Sequence, residues 1–213
     1  MPQNPFLQRK KSILDAINQG KDNSPKGSID LPIVELVNYI NSLPNFVTTS
    51  SCSGRVALYA GNNESGKWLY VSHDLDDLPK DNLEDWIIKT FQISQFSKGT
   101  GSLHGSLVYF KFEPFVMHIE ADTLDSAREL HQVANSCGYR NSGLSISATR
   151  NMVAIRSSLK IDSPVGILND DGLFISFVDM EVFKILIKLS EDKFVENNRR
   201  ISQLEAAVKK RFQ

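Results

Sequence analysis

The feature that most constrains the fold is the number and spacing of short apolar segments with strand-like character. Strand segments outnumber helical ones, and the run from Gly61 to Gly66 separates two of them by only a hairpin loop. The predicted strands are 45–49, 55–60, 67–72, 106–112, 115–120, 143–148, 152–157, 164–168 and 173–177. Hairpins mixed with helical crossovers indicate an α+β fold, a two-layer sandwich with one mixed, mostly antiparallel sheet and flanking helices. A doubly wound α/β sheet fits this order less well.

Helical periodicity and capping residues predict the remaining elements. The predicted helices are 5–19, a helix capped by Asp30 and ended by Pro44, 82–93, a helix from Asp122 or Thr123 to Gly138, and a long one from Asp179 to about 211. The second half of the last helix carries few apolar residues. We therefore expect a single domain over 1–213 from which this half projects.

Composition excludes a globally basic nucleic-acid-binding protein, because the 213 residues carry a formal net charge of −1. RNA binding would have to use local patches, and cations do cluster at Arg9-Lys10-Lys11, at Arg199-Arg200 and at Lys209-Lys210-Arg211. The sequence shows no signal peptide and no long apolar run. We therefore expect a cytoplasmic protein with reduced thiols and no membrane partner.

The segment from Thr48 to Arg55 has the composition of a ligand site. It holds five hydroxyl side chains, one thiol, one glycine and one arginine between apolar neighbours. A turn of this kind offers hydrogen-bond donors and a cation to an anionic or zwitterionic ligand. A strand, a polar turn and a second strand, with the hydroxyls bonded locally, explains the same residues.

Other polar residues could belong to a site or to ordinary structure. His73-Asp74 ends a strand, where side chains reach a site rim, and Lys26 in its loop could approach a phosphate or a carboxylate. Trp68 and Tyr139 could stack on a base, although strand aromatics more often lie in a core. His118 and His131 fall in apolar-patterned elements, which predicts core histidines with satisfied hydrogen bonds.

The sequence carries no metal or nucleotide signature. Its two cysteines, Cys52 and Cys137, lie far apart, and a triad of Glu113, His73 and His118 has no metal-ligand spacing. The run 99–105 is nearly a dinucleotide fingerprint but follows a helix and enters a strand, the reverse of the required order. Cys52 with His73 could serve a covalent transferase or hydrolase, whereas packing is the commoner role of such a cysteine.

Six blocks of the sequence, in one order, resemble the motifs of a known family. They are Ser24 to Asp30, Thr48 to Arg55, Trp68 to Asp74, Lys111 to His118, Gly138 to Gly143 and Ala154 to Ser157. The family is tRNA wybutosine-synthesising protein 3, and the similarity covers nearly the whole chain.

The resemblance implies a distinct fold and S-adenosylmethionine-dependent methylation of a tRNA. The implied reaction is N4-methylation of 7-(3-amino-3-carboxypropyl)-4-demethylwyosine at position 37 of phenylalanine tRNA. His73 and Asp74 would then be catalytic, and no metal is expected. The expected cofactor-binding residues are Ser50, Ser51, Ser53, Arg55, Asn141 and Arg156, and the expected substrate-binding residues are Lys26, Asp30, Arg199 and Arg200. A non-catalytic tRNA-binding module with the same basic ends remains an alternative.

Overall fold

Helices and strands alternate along the chain much as the sequence pattern predicts. The computed structural model describes residues 4–20, 27–61, 66–79, 82–91, 97–98 and 105–213. The helices within these ranges are α1 (Pro5–Asn18), α2 (Val34–Ser42), α3 (Leu83–Phe91), α4 (Leu124–Ser136) and α5 (Met180–Arg211). The strands are β1 (Phe46–Gly61), β2 (Gly66–Ser72), β3 (Ser97–Lys98), β4 (Ser106–Ala121), β5 (Gly143–Ile146), β6 (Asn151–Arg156), β7 (Ile161–Leu168) and β8 (Phe174–Ser176).

The chain divides into two compact units, and β1, β4 and α5 each contribute residues to both. The first unit comprises Met1–Ser53, Pro114–Ser158 and Glu196–Gln213. The second comprises Gly54–Glu113 and Leu159–Val195.

In the first unit, β6 pairs antiparallel with both β4 and β5. Alternate residues of β4, namely Phe115, Met117 and Ile119, point into a buried cluster. Helices α2 and α4, the end of α5 and strand β6 supply most of the rest of this core, and Ile201, Leu204 and Val208 of α5 are at most 2% exposed. The larger apolar residues of the second half of α5 are therefore packed in this core.

In the second unit, the strand order is β2-β1-β4-β7-β8-β3. The pairs β1–β2, β4–β7 and β7–β8 are antiparallel, and β3–β8 is parallel. One face of this sheet packs against α3 and the first half of α5 around Val56, Phe110 and Phe183. The predicted α+β class, with a mixed and mostly antiparallel sheet, is confirmed.

Two of the predicted strand boundaries are wrong. The hydroxyl-rich segment 48–55 is not a turn, because β1 runs through it without a break. Likewise β4 continues through Glu113-Pro114. The Gly-rich run 99–104 lies outside the described residues.

The helix ends confirm most of the capping predictions. Thr123 caps α4 by accepting a hydrogen bond from the Ser126 backbone N–H at 3.1 Å, and Asp179 caps α5 in the same way through Val182 at 3.1 Å. Asp30, in contrast, makes no side-chain capping bond to the turn that follows it. Its carboxylate bonds elsewhere, as described below.

Candidate functional site

The hydroxyl-rich half of β1 belongs to the first unit and presents its side chains to different environments. Ser50 is exposed, Ser51 and Cys52 are half-buried, and Ser53 is 2% exposed. The segment therefore combines reachable hydroxyls with a buried end that fixes its position.

Two buried side chains hold that end. The Ser53 backbone N–H donates to Asp30 Oδ2 at 2.9 Å, and Asn197 Nδ2 donates to the Ser53 carbonyl at 2.7 Å. Asn197 Oδ1 also accepts from the Phe115 backbone N–H at 2.9 Å. Asp30 and Asn197 are 8% and 1% exposed, so these bonds are shielded from water. Asp30 is thus joined to the hydroxyl motif by a buried hydrogen bond.

A second contact in the first unit joins Ser50 to His118. Ser50 Oγ lies 2.8 Å from His118 Nδ1, and Thr49 Oγ1 donates to the His118 carbonyl at 3.1 Å. Burial lowers the pKa of His118 from its ordinary 6.5, and the positive charge of Arg156 lowers it further. The imidazole is therefore held in its neutral form, able to exchange a hydrogen bond with a hydroxyl.

Arg156 and Asn141 lie near the β5–β6 hairpin of the same unit. The Arg156 backbone N–H donates to Ser142 Oγ at 3.2 Å, which ties the end of β6 to the turn containing Asn141. Both the Arg156 and Asn141 side chains are exposed. The structure thus brings Ser50, His118 and Arg156 together, with an exposed amide on the adjoining turn.

Tyr139 is a core residue of the first unit and is not a stacking surface. It is 1% exposed and meets Phe115 edge to face, with ring centroids 5.6 Å apart. Burial is the main reason that the pKa of its hydroxyl is raised.

In the second unit, Arg55 meets a carboxylate and an indole. Arg55 Nε donates to Glu113 Oε2 at 2.6 Å, and the guanidinium carbon lies 4.5 Å from the centroid of the Trp68 ring. The side chains of Arg55 and Glu113 are 30% and 34% exposed. Arg55 is thus paired with a carboxylate of the protein itself, and both side chains remain about one-third exposed.

His73 and Asp74 leave β2 in the second unit. His73 Nδ1 lies 3.1 Å from the Gly54 carbonyl oxygen. A carbonyl oxygen only accepts, so Nδ1 carries the proton and Nε2 is the basic nitrogen of the neutral ring. Asp74 Oδ1 accepts from the Asp76 backbone N–H at 2.9 Å, which shapes the turn after His73.

Arg199 and Arg200 lie on α5 in the first unit, and both bind the same carboxylate. Arg199 Nε and Arg200 Nε each lie 2.7 Å from a Glu196 oxygen, and their hydrogen bonds lower the pKa of Glu196 to about 2. The two cations are therefore partly neutralised locally. Lys26 lies outside the described residues.

Sequence reasoning considered Glu113 and His118 as site residues only in a metal triad without ligand spacing, and it missed Asn197. His118 was predicted to be a core histidine, yet it is half-exposed because Met117 and Ile119 on either side take the core-facing positions. Strand alternation contained that signal. Nothing in the local sequence indicates the partners of Glu113 or Asn197. His131 fits the prediction better, since it is half-buried with Nε2 3.2 Å from the Ser142 carbonyl.

Comparisons with known proteins agree with the motif resemblance. A family model described as Methyltransferase TYW3 matches residues 8–210. The tRNA wybutosine-synthesizing protein 3 of Saccharomyces cerevisiae is 36% identical, over 98% of this chain and 82% of that protein. The protein of the same name from Schizosaccharomyces pombe is 37% identical, over 97% of this chain and 90% of that protein.

Solved structures agree on the fold. The PH1069 protein from Pyrococcus horikoshii superposes with a TM-score of 0.73 at 25% identity, covering 97% of this chain and 95% of that one. A hypothetical protein from Aeropyrum pernix, at 21% identity, superposes with a TM-score of 0.65 over 85% of this chain and 98% of that one. Among the helices of the described ranges, none has the length and apolar character needed to cross a membrane. Because the family model spans nearly the whole chain and both yeast relatives exceed 30% identity, this chain belongs to the Methyltransferase TYW3 family.

Proposed function

We propose that this protein is an S-adenosylmethionine-dependent tRNA methyltransferase of wybutosine synthesis. Its proposed product is the N4-methylated form of 7-(3-amino-3-carboxypropyl)-4-demethylwyosine at position 37 of phenylalanine tRNA, made in the cytoplasm. The observation that carries the proposal is membership of a methyltransferase family over residues 8–210, which include the whole hydroxyl-rich motif. The names of the two yeast relatives support the pathway.

The residues present fit a zwitterionic cofactor. We assign its binding to Ser50, Ser51 and Ser53 with Arg55, Asn141 and Arg156. The exposed Ser50 hydroxyl and Arg156 guanidinium of the first unit, and the half-exposed Arg55 of the second, offer hydrogen bonds and positive charge of the kind that a carboxylate needs. S-adenosylmethionine, when bound, supplies an electrophilic methyl group on its sulfonium.

The protein's own chemical task is modest, because positioning alone accelerates such a transfer substantially. The acceptor nitrogen gives up a proton when it is methylated, and we assign that proton to His73 Nε2. The Gly54 carbonyl orients the imidazole for this role. We assign to Asp74 the positioning of His73, since its carboxylate organises the next turn.

We assign tRNA binding to Lys26, Asp30, Arg199 and Arg200. Arg199 is exposed and Arg200 is half-buried on α5, where guanidinium groups can exchange their contact with Glu196 for a phosphate. Asp30 contributes by fixing Ser53 and so the end of the motif.

The deciding experiment is methyl transfer to tRNA taken from cells that lack this protein. We expect transfer of one methyl group per phenylalanine tRNA, detected by mass of the modified nucleoside. Equilibrium binding of S-adenosylmethionine is measured alongside. A protein that binds tRNA but neither binds the cofactor nor transfers a methyl group is a tRNA-binding module, and the proposal then fails.

Replacement of Cys52 by serine tests whether the enzyme works through a covalent intermediate. We expect Cys52→Ser to retain substantial methyl transfer, because the nucleophile is the base nitrogen. A methylated or otherwise adducted Cys52 trapped during turnover would instead establish a thiol-based transferase.

A further inference from the structure

Among the described residues, the helices of the second unit pack against one face of its sheet. Val56 and Leu58 of β1 and Val108 and Phe110 of β4 point into the buried core. Successive side chains of a strand point to opposite faces. Arg55 and Tyr59 of β1, and Tyr109, Lys111 and Glu113 of β4, therefore project from the other face, which we call the open face.

Aromatic rings and cations alternate across this open face. Trp68 of β2 is directly opposite Tyr59, and the two ring centroids are 4.9 Å apart. Lys111 Nζ lies 5.1 Å from the centroid of Tyr109 and 5.8 Å from that of Tyr59. Arg55 stacks on Trp68 at 4.5 Å. The row therefore crosses three neighbouring strands, β2, β1 and β4.

The rings are held in place by their surroundings. Arg55 is tied to Glu113 by its ion pair while it stacks on Trp68. The hydroxyl of Tyr59 occupies the space that a Cβ on Gly66 would need. A surface that is already ordered loses little conformational entropy when a ligand binds.

The exposure and charge of the open face favour a polyanion with flat apolar rings. Trp68 is 42% exposed, so part of this residue is accessible to a ligand. Lys111 and Lys160 both pair with Asp162, at 2.9 and 2.8 Å, and Arg55 pairs with Glu113. Among the described residues of these ion pairs, three cations therefore face two carboxylates, which leaves an excess of positive charge. Single-stranded nucleic acid matches both properties, because bases stack on aromatic rings and phosphates bind cations.

We propose that this open face, centred on Trp68 and Tyr59, is the surface on which unpaired bases of the tRNA anticodon loop stack. The inference rests on the proposed tRNA substrate and adds where the second unit contacts it. Lys111 binds the phosphate of a stacked nucleotide, and Arg55 orients the indole.

The test uses the full chain and a synthetic anticodon stem-loop of phenylalanine tRNA. In a Trp86→Phe background Trp68 is the sole tryptophan, since the chain has two. We expect the stem-loop to quench Trp68 fluorescence, and a fully paired RNA of the same length to leave it unchanged. Loss of one base–aromatic stack predicts that Trp68→Leu weakens stem-loop binding by about 5- to 150-fold. Trp68→Phe should retain most of the affinity.

The matched control is Phe177→Leu, which replaces another exposed aromatic side chain of the second unit, 38% exposed. It should keep full affinity for the stem-loop. Equal affinity in Trp68→Leu and the unaltered protein, or unquenched Trp68 at saturating stem-loop, overturns the proposal. The quenching experiment uses the Trp86→Phe protein, so it tests the proposal even if Trp68→Leu does not fold.

The stacking surface and the proposed function can fail separately. If the protein transfers methyl groups and Trp68→Leu binds the stem-loop as tightly as the unaltered protein does, the stacking surface is excluded and the proposed function stands. Conversely, binding that depends on Trp68, in a protein that neither binds S-adenosylmethionine nor methylates tRNA, supports the surface and ends the proposed function.

Discussion

The two halves of β1 carry polar side chains of opposite physical character. In the first unit, Ser53 is bonded through its backbone to Asp30 and Asn197, and all three residues are at most 8% exposed. In the second unit, Arg55 and Glu113 form an ion pair whose side chains are each about one-third exposed to solvent. Within one motif of eight residues, a buried network at Ser53 is thus followed two residues later by a solvent-accessible pair at Arg55.

This difference indicates what each half contributes. A buried group that loses its partner costs its full desolvation penalty, so the Asp30–Ser53–Asn197 network stabilises the fold. An ion pair that water can reach contributes little to stability. Arg55 and Glu113 are therefore available for a ligand. Replacing a polar side chain of the buried network should lower stability, whereas replacing Arg55 should weaken ligand binding.

The largest effect is expected at Asn197. Asn197→Ala leaves the Phe115 N–H and the Ser53 carbonyl without their partners in a site that is 1% exposed. We expect the free energy of unfolding to fall by about 2–6 kcal/mol, since each of the two unsatisfied buried groups costs about 1–3 kcal/mol. Urea denaturation measures it.

The neighbouring residue provides the control for that measurement. Asn198 is exposed, so Asn198→Ala should change stability by less than about 0.5 kcal/mol. Equal stability of the two variants would show that the network at Ser53 does not hold the motif.

Replacement of Arg55 should show the contrasting behaviour. Arg55→Lys keeps the charge but loses the planar fork, and we expect it to cost about 1–3 kcal/mol of cofactor binding or transition-state interaction. The unfolding free energy should change by less than about 1 kcal/mol, because the pair with Glu113 is solvent-accessible. Arg128→Lys, at an exposed arginine on α4, is the control. Unchanged cofactor affinity and activity in Arg55→Lys would exclude Arg55 from the site.

The pH dependence of the unfolding free energy tests the role of His118 in the first unit. Burial and then the charge of Arg156 lower its pKa below the ordinary 6.5, so the unfolded chain binds more protons than the folded one as the pH falls below that value. The contribution of His118 to stability is thus fully present above pH 6.5 and is lost as the pH falls through the lowered pKa.

His118→Asn should flatten the fall in unfolding free energy below that pH, while Arg156→Gln should raise the pKa of His118 in an NMR titration. An identical pH dependence of unfolding in His118→Asn and the unaltered protein would contradict this assignment.

The sequence predicted the elements whose signals are local. Helices α1, α4 and α5 begin and end within two residues of their predicted limits, because periodicity and caps such as Thr123 and Asp179 lie within one turn. The motif at 48–55 was also recognisable as a candidate site from its hydroxyls and arginine. Composition alone was enough to select this segment as a candidate, because core strands rarely contain so many hydroxyl side chains.

The features that were missed depend on distant partners. A polar run and Pro114 predicted breaks in two strands, yet both strands continue. The reason lies in Asn197, which bonds to Phe115 next to that proline and to Ser53 in the polar run. Asn197 is 144 positions from Ser53 in sequence, so no local pattern could indicate the contact.

The smallest effect is expected from the five cations at the end of α5, because four of them already form ion pairs on their own helix or with a neighbouring one. Arg199 and Arg200 bind Glu196, and Lys209 binds Glu205. Arg211 pairs with Glu129, and Lys210 is exposed. Like the Arg55–Glu113 pair, these contacts are accessible to solvent and can be exchanged for phosphates.

Replacement of all five cations, Arg199, Arg200, Lys209, Lys210 and Arg211, by glutamine should therefore weaken tRNA binding modestly. The slope of log affinity against log salt should fall by about one unit for each phosphate contact that is lost. S-adenosylmethionine binding should not change. The matched variant acts in the opposite direction. Hydrogen bonds from Arg199 and Arg200 lower the pKa of Glu196 to about 2, which shows that its carboxylate holds both cations, so Glu196→Gln releases both guanidinium groups and should strengthen tRNA binding. If neither variant alters the salt slope, the tRNA does not use this end of α5, and the open face of the second unit becomes the principal contact.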